Sequence, residues 1–144
     1  MRRIHPRQRI TVAGADLFGY TTAMSGPDPR QFAIEIARIA HDNKSEDLIA
    51  MDMRGISPVT DYTVICTGTS DRQMRAVADM IIEYGKKVGE RPYGFCGQET
   101  AAWIVIDYVD VVVHIFDRPH RDYYDLELLW GDAPRVEWAR SESA

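Results

Sequence analysis

The chain predicts a mixed α/β (α+β) fold, a single β-sheet of about five strands with two long helices packed on one face and a short helix near the C-terminus. Three observations carry that reading. Apolar stripes at helical spacing alternate with short β-branched runs in the order α-β-β-α-β-β-β-α. Both long helical stretches open on capping residues. Residues 103–116 read as two adjacent strands with one wholly aliphatic face. At 144 residues the chain is one domain, long enough to bury a core. Residues 28–134 form that domain, with a basic arm at 1–27 and a tail at 135–144.

Residues 1–27 have no sustained periodicity and several turn formers. They read as a disordered basic arm that folding does not need, as sequence upstream of a start at Met24, or as a short transit-like segment. Asp28-Pro29-Arg30-Gln31 then starts a helix, because Asp28 caps and Pro29 suits the first helical position. Phe32, Ile36, Ile39 and Ala40 form its apolar stripe, which fades near Asn43-Lys44. Leu48–Met53 is the first strand, and Gly55 to Pro58 a turn. Asp61–Thr67 is the second strand. Ser70 and Gln73 have capping-box spacing before a stripe of Met74, Val77, Ile81, Tyr84 and Val88, and Gly89 ends that helix. Residues 91–95 are a short strand. A last helix is expected from about His120 to Trp130, with Leu126, Leu129 and Trp130 on a buried stripe, and residues 135–144 are expected to fray.

The stretch 103–130 organises the rest. Its strands are Trp103–Asp107 and Asp110–Phe116, joined by a two-residue turn at Tyr108-Val109. That turn pairs 107 with 110, 105 with 112 and 103 with 114. One face is then Ile104, Ile106, Val111, Val113 and Ile115, which belongs against the core. The other carries Trp103, Val105, Asp107, Asp110, Val112, His114 and Phe116, a mixture suited to recognition. Val109 is the weak point, since such turns want φ > 0, and a longer loop would change the register.

Charge separates partner classes. Residues 1–27 carry four arginines against Asp16, while residues 98–134 carry eight carboxylates against Arg118 and Arg121, a net of −6. An acidic surface repels phosphate backbones, so the folded part is not expected to read nucleic acid directly and suits a basic protein partner. Two cysteines make no disulfide framework, and no apolar run approaches membrane-spanning length or resembles a secretory signal. A cytoplasmic protein follows.

Chemistry-bearing motifs are few. Gly68-Thr69-Ser70 between strand and helix suits a phosphate-binding turn or the glycine-serine corner of nucleotidyltransferases. Those enzymes need two metal-binding carboxylates two residues apart on a strand, and the nearest candidates, Asp107 and Asp110, flank a turn instead. Cys66, Cys96, His114 and His120 match no compact zinc spacing. No catalytic residue, metal or cofactor is expected.

Thr60-Asp61-Tyr62, Cys66 through Arg72, Trp103–Asp107, Val113–Phe116 and Arg121 through Trp130 together resemble the ribosomal silencing factor family (RsfS, also called Iojap or YbeB) over roughly residues 28–133. The resemblance implies a nucleotidyltransferase-like fold without the catalytic carboxylates. It also implies binding to the fourteenth ribosomal protein of the large subunit, on the subunit-joining face, which blocks the small subunit and represses translation under poor nutrition. Three positions depart from the family pattern: Cys96 before Gly97 where glutamate is usual, Ala102 for an acidic residue, and Val109 for a turn glycine. The first two remove charge, and affinity for a basic partner would fall with it.

The expected partner-binding set is Trp103, Asp107, Asp110, His114, Phe116, Arg121, Tyr124 and Glu127. Trp103, Phe116 and Tyr124 are the aromatic anchors, and Asp107, Asp110 and Glu127 complement partner cations. An outward Trp103 is expected to matter more for binding than for stability. The alternative from another class is a small nucleotidyltransferase-like enzyme. A third reading, a self-associating scaffold, predicts a homodimer that hides the mixed face.

Overall fold

A computed structural model of the protein describes residues 26–141. The basic arm therefore lies outside the described residues, apart from Gly26 and Pro27. Among them the elements are α1 (Pro29–Asp42), β1 (Glu46–Asp52), β2 (Tyr62–Thr67), α2 (Asp71–Lys87), β3 (Gly94–Cys96), β4 (Trp103–Asp107), β5 (Val111–Phe116), α3 (Arg118–Tyr124) and α4 (Leu126–Leu129). The strands form one mixed sheet in the order β1-β2-β5-β4-β3, with β2 and β5 parallel and the other pairs antiparallel.

Both long helices start as their caps dictate. Asp28 Oδ2 accepts from the Gln31 N–H at 3.2 Å, and Ser70 Oγ accepts from the Gln73 N–H at 3.0 Å. The return bond of the second cap falls one residue early, since Gln73 Oε1 accepts from Thr69 N–H rather than Ser70. The two helices pack on one face of the sheet, where Phe32, Ile36, Met74, Val77 and Ile81 meet Val64, Ile104, Ile106, Val113 and Ile115. Ile104, Ile106, Val113 and Ile115 have no accessible surface. That is the aliphatic face expected of the hairpin.

The hairpin register differs from the expected one. Trp103 pairs with Phe116, Val105 with His114 and Asp107 with Val112. The turn is Val109-Asp110, one residue later, and the pairing moves by two. An even shift keeps every side chain on its expected face. Val109 does adopt φ +73°. Its N–H donates to Asp107 Oδ1 at 2.7 Å, the Asp110 N–H donates to the Tyr108 carbonyl at 2.9 Å, and its side chain is buried. Local bonds and burial outweigh the propensity.

Two more expectations are corrected at the C-terminal end. The single helix expected from His120 to Trp130 is two short ones, broken at Asp125, whose φ of +47° is left-handed. The segment expected to fray is docked as far as it is described. Asp52 N–H donates to the Pro134 carbonyl and Val136 N–H to the Ala50 carbonyl, both at 2.8 Å, and Arg135 bridges to Met51. Val136 is buried, Trp138 packs on the core and its carbonyl accepts from Arg38 Nε at 2.7 Å.

Candidate partner-binding face

The second face of the sheet is covered as well. Met51, Met53, Ile65, Phe116 and Ala133 form a smaller core there, with Ile49, Trp103, Leu126 and Trp130 against it. The two short helices supply much of that cover. Their brevity leaves some of their own side chains in solvent.

At the centre lies a tier of rings. Trp103 stacks on Phe116 at 4.9 Å between centroids and meets Tyr124 at 4.6 Å, and Trp130 lies 6.1 Å from His114. The Trp103 indole N–H donates to His114 Nδ1 at 3.0 Å. Burial among rings holds the imidazole well below its usual value, at about 4, with Asp107 opposing weakly. His114 is therefore neutral at pH 7 and acts as an acceptor for the indole.

Arg121 organises the neighbouring corner. Its side chain is 4% exposed, and its Nη1 donates to Thr67 Oγ1 at 3.0 Å and to the Asp47 carbonyl. Its Nε and Nη2 reach Glu127 Oε1 and Oε2 at 3.4 and 2.9 Å. Asp47, at φ +49°, stands in a bulge between Glu46 and Ile49, and its carboxylate pairs with Arg118. That pairing holds the Asp47 carboxyl below the usual carboxylate range.

The eight expected contact residues thus divide in two. Trp103, Asp107 and Glu127 are half-buried and Tyr124 is 45% exposed. Asp110, His114, Phe116 and Arg121 are buried, which corrects the open face expected for them. Asp110 lies in the turn, where its carbonyl accepts from both Asp61 and Tyr62 N–H. Phe116 is closed over by Trp103 and Tyr124, and Arg121 is spent on internal acceptors. Trp103 is half-buried and packs among rings, so its loss is expected to cost stability as well as binding.

The largest exposed apolar side chains of this region were not in the expected set. Tyr123 is 79% exposed, Leu128 77% and Leu129 70%. The expected burial of Leu129 is corrected by the break at Asp125, because a one-turn helix has one inward position set and Leu126 with Trp130 fills it. Consecutive leucines at 128 and 129 were the available signal, since with Leu126 and Trp130 the apolar run exceeds what one narrow stripe can bury. Leu128 and Leu129, side by side on α4, make a small apolar ridge, and exposed Tyr124, Asp122, Asp125 and Asp132 lie in the same segment. Contiguous exposed apolar surface with a charged rim marks protein contact.

The Gly68-Thr69-Ser70 corner is occupied by its own side chains. Besides the cap bonds, Gln73 Nε2 donates to the Asn43 carbonyl and to Ser45 Oγ. Among the described residues no group of three or more His, Cys, Asp and Glu stands close enough to hold a metal ion. No helix among them is long and apolar enough to cross a membrane.

Comparison with known proteins agrees with this fold and these motifs. The family model described as "Ribosomal silencing factor during starvation" matches residues 27–144. A Bacillus subtilis protein named ribosomal silencing factor RsfS is 46% identical over 105 residues, covering 72% of this chain and 89% of its own. A crystal structure of a Chromobacterium violaceum protein superposes with a TM-score of 0.70 at 29% identity, covering 81% of this chain and 92% of that one. Another, from Bacillus halodurans, gives 0.64 at 38% identity and covers 74% and 98%. On the family match and these shared lengths, the chain belongs to the ribosomal silencing factor family.

Proposed function

We propose that the protein binds the large ribosomal subunit at its subunit-joining face, through the fourteenth ribosomal protein, and represses translation by blocking the small subunit. The observation that carries this reading is membership of a family whose relatives are named ribosomal silencing factors. The geometry supports it. An apolar ridge beside a segment with a net charge of −6 suits a basic protein surface with an apolar centre. Occlusion needs no reaction, so no residue has a catalytic role and no cofactor enters. The site of action is the cytoplasm, where subunits join.

Trp103 and Tyr124 supply aromatic contact, Asp107 lends negative potential from a half-buried position, and the Glu127 carboxylate is engaged by Arg121. His114, Phe116 and Arg121 act from beneath. Co-sedimentation with separated ribosomal subunits tests the reading. The protein should pellet with large subunits and not with small ones, and should lower the yield of joined ribosomes. Equal binding to both subunits, or to naked RNA alone, would overturn it. A melting-temperature rise requiring nucleotide and magnesium would favour the enzyme alternative.

A further inference from the structure

The helix α4 has a single turn, and none of its residues is buried. A segment that short does not hold itself, because nucleating a helix costs more than one turn returns. Its place must be set from outside. Leu126 and Trp130 rest on the sheet on either side, yet Leu128 and Leu129 point into solvent. Beside these two apolar seats, a polar link from the body of the fold reaches this turn through the fork of Arg121.

That fork spans three elements. From α3 it reaches the bulge of β1 through the Asp47 carbonyl, the end of β2 through Thr67 Oγ1, and α4 through both oxygens of Glu127. The left-handed backbone at Asp47 and the register shift beside it free that carbonyl from the ladder. Asp125, also left-handed, separates α3 from α4, so the two turns have no continuous helix to fix their angle. A lysine cannot replace this arrangement, since a single ammonium lacks the planar fork that binds a carboxylate at two points.

We infer that Arg121 is a positioning residue for partner binding: through Glu127 it latches α4 to the sheet and so sets the ridge of Leu128 and Leu129. This rests on the large-subunit reading above. Arg121 and Glu127 then act on affinity without touching the partner. Ridge residues make the contact, and the exposed acids Asp122 and Asp125 supply its salt dependence.

The test uses the full chain with Arg121→Lys and Glu127→Gln, beside Asp122→Asn as a rim control. Hydrogen exchange is followed at the Leu128 and Trp130 amides, which donate to the Asp125 and Leu126 carbonyls at 3.0 Å. Binding to isolated large subunits is measured across a salt series. In both latch variants those two amides should exchange far more than tenfold faster, since a turn open most of the time loses nearly all its protection, while the β5 amides do not change. A ridge in place only about a tenth of the time binds with an apparent Kd about tenfold weaker. The slope of affinity against salt should stay that of the wild type, whereas Asp122→Asn should lower it.

Unchanged exchange at Leu128 and Trp130 would overturn the latch. A lowered salt slope in Glu127→Gln would make Glu127 a direct contact and overturn the positioning role. If Arg121→Lys loosens the whole sheet, Glu127→Gln, which keeps the guanidinium, decides by the same two readouts. A wild-type protein that fails to pellet with large subunits removes the functional reading and the partner role with it. The exchange arm then still shows whether Arg121 holds the helix.

Discussion

Lowering the pH should weaken the fold through His114 before any ordinary carboxylate titrates. The imidazole is 8% exposed and accepts from the Trp103 indole, and its folded value of about 4 lies below the 6.5 of a free histidine. The sign follows from which state takes the proton. Below pH 6.5 the unfolded chain protonates while the folded ring cannot, so stability falls from there until about pH 4, where the folded ring titrates too. The span of about 2.5 pH units corresponds to about 3 kcal/mol in full, and about 2 kcal/mol of it is gone by pH 5. Asp42, Asp47 and Asp52, each lowered by an arginine partner, titrate below that window. Urea unfolding at pH 7.5 and pH 5.0 should therefore show a loss about 2 kcal/mol larger in the wild type than in His114→Asn, which keeps an acceptor for the indole but does not titrate. Equal losses in the two proteins would refute a buried neutral imidazole. A wild type indifferent to pH would do the same.

Four further outcomes follow from the packing. Ile104→Ala empties a fully buried position and should cost roughly 2–5 kcal/mol in denaturant unfolding. Trp103→Ala should cost nearly as much, about 3 kcal/mol, and should weaken large-subunit binding as well, whereas Ile104→Ala affects binding only through the fold. Gly97→Ala should destabilise more than either or prevent folding, because φ is +91° and a Cβ would stand 2.0 Å from the Trp103 carbonyl oxygen; a soluble variant with wild-type unfolding midpoint would count against that backbone. Thiol labelling should modify exposed Cys96 at once and Cys66 only on unfolding, since burial pushes the Cys66 thiol up to about 11; early labelling of both would mean that β2 is open.

The main sheet and its helices were legible because several local signals agree there. Alternation in 103–107 and 111–116 named the aliphatic face, and Asp28 and Ser70 capped helices where capping residues belong. Register was less legible, because the turn rests on Val109 at a positive φ, which only its bond to Asp107 and its burial make acceptable. The second face was read as open for a different reason. Cover comes from two very short helices and from Arg121, and a charged side chain reads as surface until its acceptors are known. Thr67 and the Asp47 carbonyl lie 54 and 74 residues from Arg121, so no spacing rule joins them to it. Asp110 was misplaced for a similar reason, since its backbone carbonyl accepts from the Asp61 and Tyr62 N–H groups, far off in sequence. The family resemblance, by contrast, rested on ordered short motifs and did not depend on which face was covered.

The bonds from residues 134–136 to β1 bear on how the protein is made. Synthesis runs from the N-terminus, so β1 emerges early, while the backbone that covers its outer edge comes after every other described strand and helix. During that interval the outward N–H and C=O groups of Asp52 and Ala50 have no mate, and they offer a template to a strand from any neighbouring nascent chain. A product truncated after Gly131 would keep that template for good. Its sheet would end in two bare margins, β1 and β3, and chain-to-chain pairing rather than loss of the main core would be its characteristic failure.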